Sequence, residues 1–536
     1  MTIASMAAWG QLGNGDAAAE EQDEFGYTVV RGDFNGDGFQ DLAVGVPLEK
    51  ITTAAGTLNG AGAVDVFYGS ANGLSSGTHQ FWRRNDTGAP DAGGAYFGQT
   101  LAAGDFNGDG FTDLAIGALG LTINSFQNAG SVTILYGSRT GLSATSVPSQ
   151  LWTQGANGIP NGPGYNNLFG GALATGDFNH DGYADLAIGI PGQTFCNAVC
   201  QLTGRGLLSM AGAVQVIYGS PKGLSTTAVP TQFWSQDSPG VLDAAETNDF
   251  FGSALAVGDF NHDGYADLAI GVPGESIGSS QTAGAVNVIY GSASGLSATA
   301  VPNQFWSQGS GGLPDQAETG DQFGYSLVVG DFNHDGIADL AVGVPYEDVG
   351  AVQDAGVVHV IYGSASGLSA TAVPNQLLLP GVGDLGGAPQ ADAEFGWSLA
   401  AGDFNGDGFA DLAIGARMEP VGAAAYAGAV HVIYGSAIGL SNLLTSSQIW
   451  TQNSPNVQET AEAGECFGFA LAAGDFNRDG RDDLAVGVPG ESLNSASGVI
   501  RTAGAANIIF GAGGGLNATI VPNQFLSQIY TLPPLP

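Results

Sequence analysis

The chain has 536 residues and a formal charge of −39, from 50 Asp and Glu against 11 Lys and Arg, which argues against nucleic acid as a partner because binding a polyanion needs basic patches. Only 11% of residues are charged, 44% are hydrophobic and 88 are Gly, a balance that suits an ordered, turn-rich β protein and excludes an acidic disordered tail. No run approaches the ~20 apolar residues of a membrane-crossing helix, so no membrane span is expected in this chain.

Residues 1–24 open on Met1 to Gly10, which has neither the basic segment nor the apolar core of an export signal. Within them, Trp9-Gly10-Gln11 resembles the ends of later units and is expected to be a closing strand with its loop. From Phe25 onward a unit repeats, with boundaries near 25–82, 97–152, 169–234, 251–306, 323–378, 395–450 and 467–526, followed by a tail over 527–536. The fifth unit serves as specimen. Its residues 323–331 read as a strand, 340–344 as a second, 355–364 as a third rich in β-branched residues, and 375–377 as a fourth. Four short antiparallel strands per unit, seven times, with Gly-rich turns, predict an all-β, seven-bladed β-propeller spanning 1–536 as one domain. Helical solenoids are excluded, since these runs lack the i, i+3, i+4, i+7 pattern, and the coils of a parallel β-helix are shorter.

Between the first and second strands of every unit stands Asp-x-Asn-x-Asp-Gly-x-x-Asp, starting at Asp33 and recurring at intervals of 72, 72, 82, 72, 72 and 72 residues. Such a loop converges oxygen donors on a hard cation, and calcium takes six to eight of them. The expected ligands are Asp33, Asn35, Asp37, the carbonyl of Phe39 and Asp41 in the first loop, and Asp105, Asn107, Asp109, Phe111 and Asp113 in the second. The third offers Asp177, Asn179, Asp181, Tyr183 and Asp185, and the fourth Asp259, Asn261, Asp263, Tyr265 and Asp267. The fifth offers Asp331, Asn333, Asp335, Ile337 and Asp339, the sixth Asp403, Asn405, Asp407, Phe409 and Asp411, and the seventh Asp475, Asn477, Asp479, Arg481 and Asp483. The last Asp of each loop is expected to offer both oxygens, and Gly38 and its equivalents to permit the sharp turn. About seven calcium ions per chain follow. The tail of each loop is a strand sequence such as Leu-Ala-Val-Gly, so a helix-flanked EF-hand is excluded.

The third unit is ten residues longer and its extra segment carries Cys196 and Cys200, either a loop disulfide or two thiols; Cys466 is expected to be free and partly buried. Trp9, Trp82, Trp152, Trp234, Trp306 and Trp450 hold equivalent fourth-strand positions, where Leu378 and Leu526 substitute. That favours packing between blades over sugar-stacking platforms. Arg31-Gly32-Asp33 spells an adhesion tripeptide, yet Gly-Asp stands at this place in every unit and Asp33 is committed to the loop. His180, His262 and His334 fall at non-ligating loop positions, and His359 and His431 at equivalent strand positions. No nucleophile motif or His-rich site points to an enzyme, and no catalytic residue is assigned.

The Phe-Gly pairs at 25, 97, 169, 251, 323, 395 and 467, the acidic loops and the Gly-Val-Pro or Gly-Ile-Pro turns together resemble the FG-GAP repeats of the integrin α-subunit propeller. The pattern departs at Gly117-Ala118-Leu119 and Gly415-Ala416-Arg417. The resemblance implies a calcium-binding, extracellular or cell-surface binding or adhesion module, expected to be monomeric. Its protein or glycan ligand would sit on the face opposite the acidic loops, where the long, dissimilar connections gather. A glycan-binding lectin and a carbohydrate-active lyase are the alternatives. Two segments compete for the outer edge of the last blade, Trp9-Gly10-Gln11 and Gln524-Phe525-Leu526; the N-terminal one is expected to close the ring, with the C-terminal one as alternative.

Overall fold

A computed structural model describes residues 19–528 apart from 197–205, 372, 384, 442–444, 496–497 and the side chains of 76–78. Each repeat forms one four-stranded antiparallel sheet whose strands lie side by side in chain order, and seven such sheets make the expected propeller. In the fifth blade the strands are Ser326–Gly330, Asp339–Val344, Val357–Ile361 and Gln376–Leu378. Gly330 pairs with Asp339, so the nine-residue acidic loop is the whole connection between the first two strands. Hairpins decorate three blades between their second and third strands: Ile51–Thr53 with Gly56–Leu58, Phe195–Cys196 with Leu207–Leu208, and Leu493–Ser495 with Gly498–Ile500.

The second strand is buried over all six residues in every blade. Both of its faces are covered by neighbouring blades, which is why it reads as an unbroken apolar run and not as an alternation. The core therefore lies between blades. One cluster joins Phe260, Tyr290 and Trp306 of the fourth blade to Leu340, Val342 and Ile361 of the fifth. Trp152, Trp306 and Trp450 are buried in such clusters, as are Leu378 and Leu526, and half-buried Trp82 and Trp234 pack against two more; the described members of the aromatic series are interblade packing.

The two glycine motifs meet across the blade boundaries. A Cβ on Gly271 would lie 2.2 Å from the carbonyl oxygen of Gly324 in the next blade, and Gly324 itself has φ +87°. The same approach, 2.1 Å, recurs between Gly45 and Gly98 and between Gly487 and Gly26. Backbone cannot move aside as a flexible side chain could, so Gly271→Ala is expected to destabilise the protein by about 3 kcal/mol, read as a lower urea midpoint at unchanged slope.

Closure uses the same contacts as every other boundary. Gln304 Nε2 donates to the carbonyl of Leu368 in the following blade at 2.9 Å, and at the seam Gln524 Nε2 donates to Leu74 O at 3.2 Å while Leu74 N donates to Gln524 Oε1 at 2.9 Å. Phe25 N donates to Ala503 O at 2.9 Å, and Phe476, Phe510 and Leu526 share a cluster with Phe25, Leu42 and Phe67. The outer strand of the seventh blade is Gln524–Leu526, paired with Ala505–Ile509. In place of the expected N-terminal closure, the outer edge is filled from the C-terminal side, the alternative, by a strand whose Gln524 grips the first blade. Trp9-Gly10-Gln11 lies outside the described residues.

His359 sits mid-strand, fully buried, against the Phe323 ring at 5.4 Å. Burial holds its imidazole neutral and pushes the pKa down to about 3. Below the ordinary histidine value of ~6.5 the unfolded chain binds a proton that the folded chain refuses, so stability falls as pH drops from there toward 3. Asn287 and Asn507 occupy the equivalent buried position. His359→Asn is therefore expected to fold and to lose about 2 kcal/mol less than the wild type between pH 8 and pH 5, measured by urea unfolding at the two pH values.

Candidate calcium centres

Each acidic loop folds around its own carboxylates. In the first, Asp33 Oδ1 accepts the N–H of Asp37 at 3.1 Å and Oδ2 that of Gly38 at 2.9 Å, while Asp37 Oδ1 accepts the N–H of Phe39 at 2.9 Å. Asn35 Oδ1 accepts from Asp37 N, and its Nδ2 donates to Asp37 Oδ2 at 3.0 Å. The turn demands left-handed backbone: Gly38 has φ +87°, and the fourth loop position is left-handed even where it is His180, His262, His334 or Arg478. The same pattern holds at Asp105 and Asp109, Asp177 and Asp181, Asp259 and Asp263, Asp331 and Asp335, Asp403 and Asp407, and Asp475 and Asp479. Thus positions one, three and five converge in every loop, with position seven held against them through its N–H.

The ninth position does something the sequence did not disclose. Asp41 is fully buried; its Oδ2 accepts Phe34 N and its Oδ1 accepts Gly69 N, both at 2.8 Å. Gly69 begins the turn between the third and fourth strands, so this carboxylate ties the acidic loop to that turn and puts both on one face. Asp113, Asp185, Asp267, Asp339, Asp411 and Asp483 repeat the arrangement. Each oxygen keeps a second lone pair, so the tie leaves room for a cation. Burial pushes the Asp41 carboxyl up to about 8, the two backbone N–H groups oppose this, and Asp33 and Asp37 add to it. Among the described residues no Lys, Arg or His forms an ion pair with any of these seven. An all-oxygen donor set with an uncompensated buried carboxylate fits a hard divalent cation.

The loops are also chained to one another. Thr112 N donates to Asp33 O at 3.0 Å, the relation repeats from loop to loop, and Gln40 N donates to Asp475 O at 3.2 Å across the seam. The Arg31-Gly32-Asp33 tripeptide is spent inside this network: Asp33 is wrapped by its own loop, and Arg31 Nη1 lies 3.8 Å from Asp482 Oδ1.

The opposite face is irregular. Around the axis Tyr27 meets Phe469 at 4.9 Å and Tyr325 meets Trp397 at 4.7 Å. Arg417, at the departure from the Pro turn in the sixth unit, lies 3.3 Å over the Trp397 ring and donates to Glu394 at 2.5 Å. A cleft of about 130 Å³ lies beside Glu24, Tyr27, Pro47, Leu48, Tyr96 and Gln99. Cys196 is disulfide-bonded and Cys466 is free; Cys200 lies outside the described residues. Also unforeseen is a set of buried carboxylates at blade boundaries on this face, where Gln236 bonds Glu275, Gln308 bonds Glu347 and Gln452 bonds Glu491. Their signal was a Glu two residues after the turn Pro and a Gln two after the fourth-strand Trp, 39 residues apart.

The family model described as FG-GAP repeat matches residues 25–67, 97–135, 169–217, 251–289, 323–361, 395–433 and 467–504. Phosphatidylinositol-glycan-specific phospholipase D of Bos taurus is 33% identical over 199 residues, 37% of this chain and 21% of that protein. Integrin alpha-PS2 of Drosophila melanogaster is 31% identical over 261 residues, 48% of this chain and 16% of that one. Integrin alpha-3 of Cricetulus griseus is 30% identical over 222 residues, covering 39% and 18%. The chain thus matches about a fifth of each relative's length. Among solved structures, the exotype rhamnogalacturonan lyase YesX aligns over 92% of this chain and 72% of its own at 13% identity, with a TM-score of 0.42. No helix among the described residues is long and apolar enough to cross a membrane.

Proposed function

Since the chain belongs to the FG-GAP repeat proteins, we propose that it is a calcium-loaded propeller that works as an extracellular binding or adhesion module. The carrying observation is the division of labour between its faces: one bears seven geometrically alike oxygen-donor loops, the other carries the dissimilar connections and the aromatic axis around Trp397. About seven calcium ions per chain, one in each loop through the residues named above, rigidify the blades. The millimolar calcium outside cells suits loops of weak to moderate affinity. The ligand is an extracellular protein or glycan held on the face opposite the loops, and the chain acts as a monomer.

The test is an array of extracellular proteins and glycans, including acidic polysaccharides, probed with calcium and after chelation. A specific signal lost on chelation, and lost again when Trp397 is replaced by Ala, supports the reading. Release of unsaturated sugar products would replace it with a lyase, and a ligand captured through the loop face would overturn the assignment of faces.

A further inference from the structure

At the boundary between the third and fourth blades, on the face away from the acidic loops, Glu246, Asp249 and Glu275 bring one carboxylate oxygen each to within 4.8 Å of one another. Asp249 and Glu275 are 1% and 2% exposed. Asp249 accepts the N–H of Glu246. From the preceding blade Gln236, itself 1% exposed, reaches into the group and donates Nε2 to Glu275 Oε2 at 2.5 Å, while its own Oε1 is buried without any partner. Two buried carboxylates therefore meet the amide nitrogen of Gln236, while the amide oxygen beside it is buried without a partner. Burial, with the charges of Asp249 and Asp243, pushes Glu275 up to about 8, and burial, with Glu246 and Asp243, pushes Asp249 up to about 6.

Two other boundaries of the same ring act as internal controls. Between the second and third blades the equivalent side chains are all amides, with Gly164 in place of Glu246. There Asn167 Nδ2 donates to Gln154 Oε1 and Gln154 Nε2 to Gln193 Oε1, both at 2.8 Å. With both acids replaced, the oxygen that is orphaned on Gln236 has its donor. Between the seventh and first blades the acids return as Glu20, Asp23 and Glu49, with Gln528 donating to Glu49. Here the chain brings its own cation, with Lys50 Nζ 3.4 Å from Glu20 and 3.8 Å from Asp23. Ser276 stands where Lys50 would be in the fourth blade.

We propose that Glu246, Asp249, Glu275 and the amide oxygen of Gln236 bind a hard divalent cation, calcium by preference, at a site separate from the seven loops. The amide nitrogen and oxygen of Gln236 are interchangeable in shape, and a half turn presents the orphaned oxygen to the carboxylates as a fourth donor. An all-oxygen set without His or Cys selects calcium over softer metals. Exposed Glu246 is the entry, and the bound ion clamps the fourth strand of one blade to the second strand of the next. The inference stands whether or not the loops hold calcium.

The test uses crystals of the full chain soaked in manganese or terbium, with anomalous scattering located for the wild type and for the double variant D249N/E275Q. That variant copies the native Asn167 and Gln193 pair and is expected to fold. The expected result is an anomalous peak within ligand distance of Asp249 and Glu275 in the wild type, absent from the variant, together with one fewer calcium per chain by elemental analysis. Peaks in the loops with none here overturn this site alone and assign the pair a shared proton; an unchanged calcium count in the variant also overturns it.

Discussion

Chelation of calcium is expected to lower the melting temperature by on the order of 15 °C. A site filled at a hundred times its Kd stabilises the folded state by about 2.7 kcal/mol, so seven sum to roughly 19 kcal/mol. An unfolding entropy of ~2 cal/mol/K per residue converts that into the stated shift for a chain of this length. The physical cause is local: without a cation, Asp259 and Asp263 stand beside fully buried Asp267 and disfavour its charge. Because each loop is hydrogen-bonded to the next around the whole ring, the loss should spread and not remain local. Calorimetry with calcium, with chelator and with calcium restored measures it; equal melting in all three would remove the stabilising role.

Removing the last strand should cost more. A chain ending at residue 522 loses the Gln524–Leu526 strand, buried Leu526, the pair of hydrogen bonds between Gln524 and Leu74, and the Gln528 contact to Glu49. Ala505–Ile509 then becomes an open edge, and buried Ile508 and Phe510 lose cover. Unpaired edges invite association, so this truncation is expected to melt without cooperativity and to elute as aggregates. Deleting residues 1–18 instead should leave the melting temperature within a few degrees, since all seven sheets have four strands without them. Gel filtration and circular dichroism of the two truncations compare them; a folded C-terminal truncation with a collapsed N-terminal one would restore N-terminal closure.

The ring itself was legible because its signals are local. A short acidic loop with a fixed Gly, followed at once by a strand sequence, joins adjacent antiparallel strands, and the unbroken apolar run within Asp339–Val344 marks a strand covered on both sides. The seam was not legible. Trp9-Gly10-Gln11 and Gln524-Phe525-Leu526 look alike as fourth strands, and what distinguishes them is a bond between residues 450 apart. The tie made by Asp41 was hidden for a related reason: a loop carboxylate reads as a ligand, and its second partner, Gly69, belongs to a turn 28 residues on. The boundary carboxylates escaped because Asp249, Glu275 and Gln236 each read alone as surface polar residues; only the packing of two blades buries them together.

The central claim, that each acidic loop holds calcium, is tested most directly by counting bound calcium in the wild type and in a variant with one loop disabled, Asp259→Asn with Asp263→Asn. After dialysis against millimolar calcium and removal of free ion, elemental analysis should find at least seven ions per chain, as the loop count requires, and one fewer in the variant. A wild type without calcium, or an unchanged count in the variant, would contradict the account.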